Sequence, residues 1–401
     1  MNSTRPLIYL FLCNLAIVFI GLGLFPILPL YAARFGATRA QVGLYLSLTY
    51  IAIASGAMLA GRLAEALGAR RVFVGAGLLG LPALGLLAQA TAFWQVVVGT
   101  AGLWFAGGVG LALVSTFTAL TAASGRRGRS FGVLALASPV GALLGGALVG
   151  ELIARFGYPV MFAGLGVVWS VWPLLALVGG PLPALRAARP RPSSTSEPQR
   201  SPAGGGRAFG RLWLGSLLVA LTISVARLGT SWSMQGLGFS ASAVASTTTV
   251  SGLITIPTTL LVGALSDRLG RRRFLMLGYG LAALAALTLS LASQLWHFWL
   301  AATLLLVAHS ANGTVASAFA TDLLAAEALG RRLPWLNATN WLAGVLAFAG
   351  LGAAVDVLGS GVVYAGAAVV ALAAALQLAR IGPLPKRPAP AAFESPHAPS
   401  T

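Results

Sequence analysis

The chain is poor in nearly everything a water-facing surface is made of. Only 8% of its 401 residues are charged, and just 8 of them are Asp or Glu. Soluble domains carry about 25% charged residues, and folding at this length leaves about a quarter of the chain's surface in water, so a soluble fold is excluded. The single cysteine, Cys13, rules out a disulfide framework. The single lysine, Lys386, stands near the C-terminus, so no Gly-x-x-x-x-Gly-Lys phosphate loop exists, and ATP-driven pumping by this chain alone is excluded. The three histidines, His297, His309 and His397, have neither metal-ligand spacing nor carboxylate company. Neither Gly-x-Ser-x-Gly nor His-Glu-x-x-His occurs, so nothing marks a hydrolase, and no cofactor or metal is expected. Gly75-Ala-Gly77-Leu-Leu-Gly80 matches Gly-x-Gly-x-x-Gly, but no strand precedes it and it reads as helix packing.

What the chain has is apolar length: 57% of its residues are hydrophobic. A membrane helix needs about 20 apolar residues, and the sequence predicts twelve spans, at 7–30, 41–62, 72–91, 95–122, 130–153, 159–179, 211–235, 242–265, 274–293, 297–323, 333–355 and 361–381. The first is too long and too proline-rich at its far end to read as a cleaved signal peptide. Net charge is +18, which suggests a phosphate partner only where the basic residues line a solvated face or an arm. Here they punctuate apolar runs, so nucleic-acid binding is not expected. Of the 26 Lys and Arg residues, 22 fall at the two termini and in the even-numbered loops; Arg34, Arg39 and Arg155 lie in the opposite loops and Arg227 inside a span. The positive-inside rule then places both termini in the cytoplasm of a cell (inner) membrane protein.

Residues 181–208 are rich in Pro, Ser, Arg and Gly and read as a cytoplasmic linker. They divide the chain into an N-terminal six-helix bundle, 1–180, and a C-terminal one, 209–382, followed by a disordered tail, 383–401. The halves are self-similar. At an offset of 202 residues Gly36 falls on Gly238, Val42 on Val244, Gly61 on Gly263, Glu65 on Asp267, Gly68 on Gly270, and Arg70-Arg71 on Arg272-Arg273.

The repeated segment reads Gly263-Ala-Leu-Ser-Asp267-Arg268-Leu-Gly270-Arg271-Arg272-Arg273 in the second half and Gly61-Arg-Leu-Ala-Glu65-Ala-Leu-Gly68-Ala-Arg70-Arg71 in the first. It resembles the signature loop of the major facilitator superfamily, Gly-x-Leu-x-Asp-Arg-x-Gly-Arg-Arg, over a likeness that extends to about residues 6–382. The resemblance implies an all-α polytopic membrane protein with twelve transmembrane helices in two pseudo-symmetric six-helix bundles. Gly61 and Gly263 permit close helix approach, Gly68 and Gly270 supply a positive φ for the turn, and the acids can pair with the Arg cluster. In the family this loop is held to latch the outward-facing state, with Asp322 a further partner here. A topology anchor without a switching role is the other reading. Ala66 and Ala69 replace two basic residues in the first half, so its latch should be the weaker.

Ionisable and polar groups at mid-membrane are functional candidates because burying them is costly. The resemblance implies that helices 1, 4, 7 and 10 line a central cavity. Span 7 carries Arg227, with Ser224, Ser231, Met234 and Gln235 spaced to share its face; span 10 carries His309 with Asn312 one turn on. Span 1 offers Asn14 and span 4 Trp104. Arg227 either attracts an anionic group, pairs across the bundle, or snorkels to the outer interface. His309 is either a hydrogen-bonded structural residue or a proton carrier. Asn337, Asn340 and the hydroxyl run Ser246-Thr-Thr-Thr249 with Thr255, Thr258 and Thr259 are expected to bond between helices instead.

Two departures from drug/proton antiporters of the family stand out. Trp104 occupies the place of their helix-4 arginine, and no Asp or Glu lies at mid-membrane. The expected function is secondary transport of a small molecule by a monomer in the lipid bilayer, working by alternating access. Helix 1 and the turn after it resemble the bacterial drug-efflux branch, which implies efflux of amphipathic compounds, with proton coupling through His309 or none. The alternatives are uptake or facilitated transport of a small, anionic metabolite if Arg227 faces the cavity, and, from another class, a non-transporting membrane sensor.

Overall fold

A computed structural model of the chain describes residues 5–121, 127–178, 205–324 and 326–382. Apolar runs in lipid must satisfy their own backbone hydrogen bonds, and a helix does so within one segment. Helix α1 (Arg5–Leu24) passes through a 3-10 turn, Phe25–Ile27, into the short helix Leu28–Ala33, the break falling where Pro26 and Pro29 remove two backbone donors. Next come α2 (Arg39–Leu67), α3 (Ala69–Ala88) and α4 (Phe93–Thr121). The helical run Ala137–Val178, entered through the short helix Arg127–Ala135, is divided at Gly157 (φ 77°) into α5 (137–156) and α6 (158–178). The second half holds α7 (Gly205–Gly236), α8 (Ala241–Leu269), α9 (Arg271–Ser290), α10 (Leu295–Ser310), α11 (Ala326–Leu358) and α12 (Ser360–Ala379). A π turn, Ala311–Val315, carries α10 on into the helix Ala316–Leu323.

Among the described residues ten stretches are long and apolar enough to cross a membrane, one of them the 49-residue Ser130–Val178 that contains both α5 and α6. Together with α8, 29 residues long, they make twelve helices. Most of the linker, through 204, and the tail from 383 lie outside the described residues, as do the surroundings of Gly263.

The duplication is visible in the backbone. Among the described residues six glycines have positive φ, and they form three pairs 202 residues apart: Gly36 (74°) with Gly238 (78°), Gly68 (91°) with Gly270 (85°), and Gly157 (77°) with Gly359 (81°). Each pair closes the same helix junction in its own half, where L side chains would be strained. The caps repeat as well. Thr38 Oγ1 accepts from the Gln41 N–H at 3.2 Å and Ser240 Oγ from the Ala243 N–H at 3.2 Å, opening α2 and α8.

Helices α2 and α11 form one seam between the halves, and α5 and α8 the other. Both are built on glycine. A Cβ on Gly43 would run into the carbonyl oxygen of Phe348, and one on Gly252 into the backbone of Pro139 and Leu143. An even number of helices puts both ends of the chain on one face, here called the terminal side. Among the described residues the hydrogen bonds, ion pair and aromatic contacts between the halves all lie away from it. Ser47 Oγ donates to the Val345 carbonyl at 2.9 Å, and Arg39 pairs with Asp356 at 2.9 Å. Phe25, Tyr50, Trp341 and Phe348 form an aromatic cluster across the midline, with centroid separations of 4.9–6.2 Å. On the terminal side the halves stand apart: Met58, on the face of α2 that carries Ser47, is 80% exposed, and a Cβ on Gly61 further along that face would meet nothing within 4 Å. Aromatic pairs contribute about 0.5–1.5 kcal/mol each beyond area burial, against at most about 1 kcal/mol for an exposed ion pair such as Arg39–Asp356. Packing, not charge, therefore closes the far side.

Candidate functional site

Between the halves lies a cavity of about 410 Å³, walled by α1, α2, α4, α5, α6, α7, α10 and α11. Its surface is mainly aromatic and aliphatic, with Phe25, Tyr50, Trp104, Trp169 and Trp341 as the large groups. Arg227 and His309 line its far end; Ser138, Ser224, Asn337 and Asn340 supply the remaining polarity. The aromatic cluster that joins the halves is the cavity's far wall. Arg227 lies over the Phe25 ring, 4.4 Å from guanidinium carbon to centroid, a contact that itself crosses between halves. Among the described residues no hydrogen bond or ion pair reaches Arg227 or His309, and no Asp or Glu lines the cavity. An unpaired guanidinium facing a largely apolar cavity is a standing attraction for an anion, because Coulomb energies grow as the effective dielectric falls.

Of the seven residues expected to meet substrate, three do line this cavity: Arg227, His309 and Trp104. The other four are placed elsewhere. Asn14 is buried and donates to the Leu134 carbonyl at 3.2 Å, tying α1 to the approach to α5. Asn312 was to share His309's face, but the π turn beginning at Ala311 inserts an extra residue there and swings it into the C-terminal bundle. There Tyr279 Oη donates to its Oδ1 at 2.9 Å and its Nδ2 donates to the Ser216 carbonyl at 3.5 Å. Ser231 is wholly buried with no partner for its hydroxyl among the described residues. Gln235 sits beyond the aromatic cluster, in a separate far-side hollow with Arg39 and Trp232.

Asn337 and Asn340 were read as interhelical links, yet both line the cavity, and among the described residues only Asn337 has a side-chain partner, accepting from Ser317 Oγ at 3.2 Å. Their signal was present in the sequence as two amides one turn apart in an apolar span. The hydroxyls of α8 mostly bond along their own helix: Thr247, Thr255, Thr258 and Thr259 each donate to a carbonyl three or four residues back. Ser246 does both, donating to the Ala243 carbonyl at 2.6 Å and accepting from Trp299 Nε1 at 2.8 Å.

The charged loops lie within single halves. Arg271 Nη1 donates to both carboxylate oxygens of Asp322 at 3.0 Å and to the Ala318 carbonyl at 2.7 Å, while Asp267 stands 3.6 Å from its Nε. Arg272 donates to the Ile381 carbonyl. In the first half Arg70 donates to the Leu177 carbonyl at 2.7 Å, and Glu65, like Arg268, is exposed with no ion pair among the described residues. The asymmetry follows from Ala69, which stands where Arg271 stands in the second half. Gly68 and Gly270 take the positive φ expected of them, but a Cβ at Gly61 would meet nothing within 4 Å, so Gly61 permits no close approach in this arrangement. A double-mutant cycle on Arg271→Ala and Asp322→Asn, read by thermal unfolding in micelles, should give a coupling of about 1 kcal/mol, reduced by partial exposure. The same cycle with Asp267→Asn should give a coupling near zero; equal couplings would show that Asp322 is not the principal partner.

The Major Facilitator Superfamily family description matches residues 10–223 and 212–401. No curated protein matches the chain. Among solved structures it is similar to an auto-inhibited POT family peptide transporter, at 15% identity and a TM-score of 0.75, over 96% of this chain and 99% of that one. It is similar also to a POT family transporter in complex with a thioalcohol-conjugated peptide, at 13% identity and a TM-score of 0.73, over 93% and 95%. A third, a peptide transporter POT in complex with sulfate, is 16% identical with a TM-score of 0.72, over 94% of each.

Proposed function

The chain belongs to the major facilitator superfamily, and from that premise we propose that it exports small amphipathic organic anions by alternating access of its two halves. One observation carries the substrate class: Arg227 faces an aromatic cavity with no carboxylate in its wall to neutralise it. An aryl or alkyl body suits Trp104, Trp169 and Trp341, and an acid head suits the guanidinium. The peptide transporters that share the fold make peptides the natural comparison. A free peptide carries an amino terminus as well, and this cavity holds no acid to receive it. The expectation of amphipathic compounds is thereby narrowed to those bearing negative charge.

The concentration of 22 of 26 basic residues on the terminal side supports a cytoplasmic position for both termini. On that orientation the cavity opens inward, ready to load from the cytoplasm. Export as the direction rests on the likeness of α1 and the turn after it to the drug-efflux branch. His309 is the titratable imidazole available for proton coupling, since no carboxylate occupies mid-membrane. The test is flux in proteoliposomes with 4-phenylbutyrate and its neutral amide, 4-phenylbutyramide, with and without a pH gradient. Protein-dependent flux of the acid well above that of the amide is expected. Equal rates for both, or none above protein-free vesicles for any member of a wider panel of amphipathic acids, would remove the anion reading.

A further inference from the structure

Arg227 and His309 do not only face the large cavity. Together with Leu22 and Phe25 they also line a second, smaller space of about 70 Å³, running behind them toward α8 and α10. The two spaces differ in chemistry. The large one is aromatic, whereas the small one is lined on one side by the hydroxyl-bearing residues Thr230, Thr247, Thr248 and Ser251. Three of those hydroxyl protons are committed: Thr230 donates to the Ala226 carbonyl at 2.8 Å, Thr247 to Val244 at 2.7 Å and Ser251 to Thr248 at 3.0 Å. The Thr248 hydroxyl makes no hydrogen bond among the described residues, so its proton is free, as are the donors of Arg227 and the imidazole. Three residues whose donors have no acceptor among the described residues border a space large enough for one compact group and too small for the body of an amphipathic molecule.

Resting on the anion reading above, the geometry points to this hydroxyl-lined recess as the head-group subsite: a carboxylate or a tetrahedral oxyanion enters it past Arg227 and is held by Arg227, His309 and Thr248. The apolar body then stays in the aromatic cavity, so the substrate lies with its head toward α8 and its tail toward α4 and α11. Thr248 becomes a specificity-determining residue that discriminates by charge and by head size. The oxygens of Thr230, Thr247 and Ser251 are left as acceptors, which suits a head group that brings its own proton or a bound water.

Equilibrium dialysis of the full chain in lipid nanodiscs, corrected with empty discs, tests this with 4-phenylbutyrate, 4-phenylbutyl phosphate and 4-phenylbutyramide. Thr248→Val keeps the shape and removes one donor to a charged acceptor; acid affinity should fall about tenfold while amide affinity stays within about twofold. Thr248→Phe fills the recess and should erase the preference for both acids over the amide. If Arg227→Ala lowers acid affinity and neither Thr248 variant does, the recess assignment is overturned and the anion reading stands. If both Thr248 variants weaken acid and amide alike, the residue acts by packing and the assignment is overturned. If the native chain does not prefer either acid to the amide, the anion reading fails and this inference fails with it.

Discussion

Arg227→Ala is expected to reduce binding and flux of 4-phenylbutyrate by between about tenfold and a hundredfold and to leave its neutral amide nearly untouched. Hydrogen bonds to charged groups contribute about 1.5–3 kcal/mol, and each 1.4 kcal/mol is about tenfold in affinity. Among the described residues the guanidinium has no acid to abandon, so its removal leaves no buried carboxylate unpaired there. What it does lose is the contact over Phe25, about 1–2 kcal/mol when desolvated, so the melting temperature should fall only a few degrees. Arg227→Lys keeps the charge but not the planar fork or the stacking, and should fall between the native chain and the alanine variant. Dialysis and proteoliposome flux read these effects together. A loss shared equally by acid and amide would mean that Arg227 shapes the cavity wall and does not select charge.

The second large effect concerns the seams. Gly43→Leu places a branched side chain where the Phe348 carbonyl already stands, and backbone cannot step aside as a flexible side chain can. The far side should therefore part at α2 and α11. In an alternating-access protein the halves rock about the central site, so parting the far side brings the terminal ends together. Transport should drop by about tenfold or more, while the isolated halves remain able to pack. The readout is the reactivity of Asn337→Cys, in a Cys13→Ala background, toward a membrane-impermeant thiol reagent on the terminal side. Native Asn337 lines the cavity and is exposed. Its replacement should react several-fold more slowly when Gly43→Leu is added. Undiminished reactivity with normal flux would show that the seam has slack and that packing does not set the balance between states. The ion pair Arg39–Asp356 crosses the same seam but is half exposed, so its loss should matter far less.

Particular residues show where sequence reasoning reached and where it stopped. The 202-residue offset, drawn from letters such as Gly36, Gly68 and Gly238, reappears as paired positive-φ backbone, with Gly157 and Gly359 added as a third pair. Asp322 was named as a partner for the basic loop, and it accepts from Arg271. Arg227, His309 and Trp104 were named for a cavity and line one. The failures share a cause, which is that facing was inferred from ideal helical spacing. Asn312 left His309's face because of a π turn that no residue type announces; Ser231 and Gln235, spaced to share Arg227's face, lie buried and beyond the aromatic cluster, and Asn14 was placed by its span alone. Tyr50 and Phe25 were passed over because an aromatic in an apolar span carries no signal of its own.

Hydrophobic length, the position of charge and internal repetition determine the class of this protein by themselves: twelve helices, two equivalent halves, a polytopic chain with its basic residues on one side. Those properties are sums over local sequence, since lipid solvates a chain according to its composition and demands a self-satisfied backbone wherever it crosses. Which groups meet in the middle is a different matter. That Arg227 has no counter-charge among the described residues, that Phe25 lies beneath it, and that a small recess opens behind it all depend on how six helices of one half pack against six of the other. Residues more than 200 positions apart acquire a shared environment only through that packing, and the environment decides whether an arginine anchors, snorkels or selects.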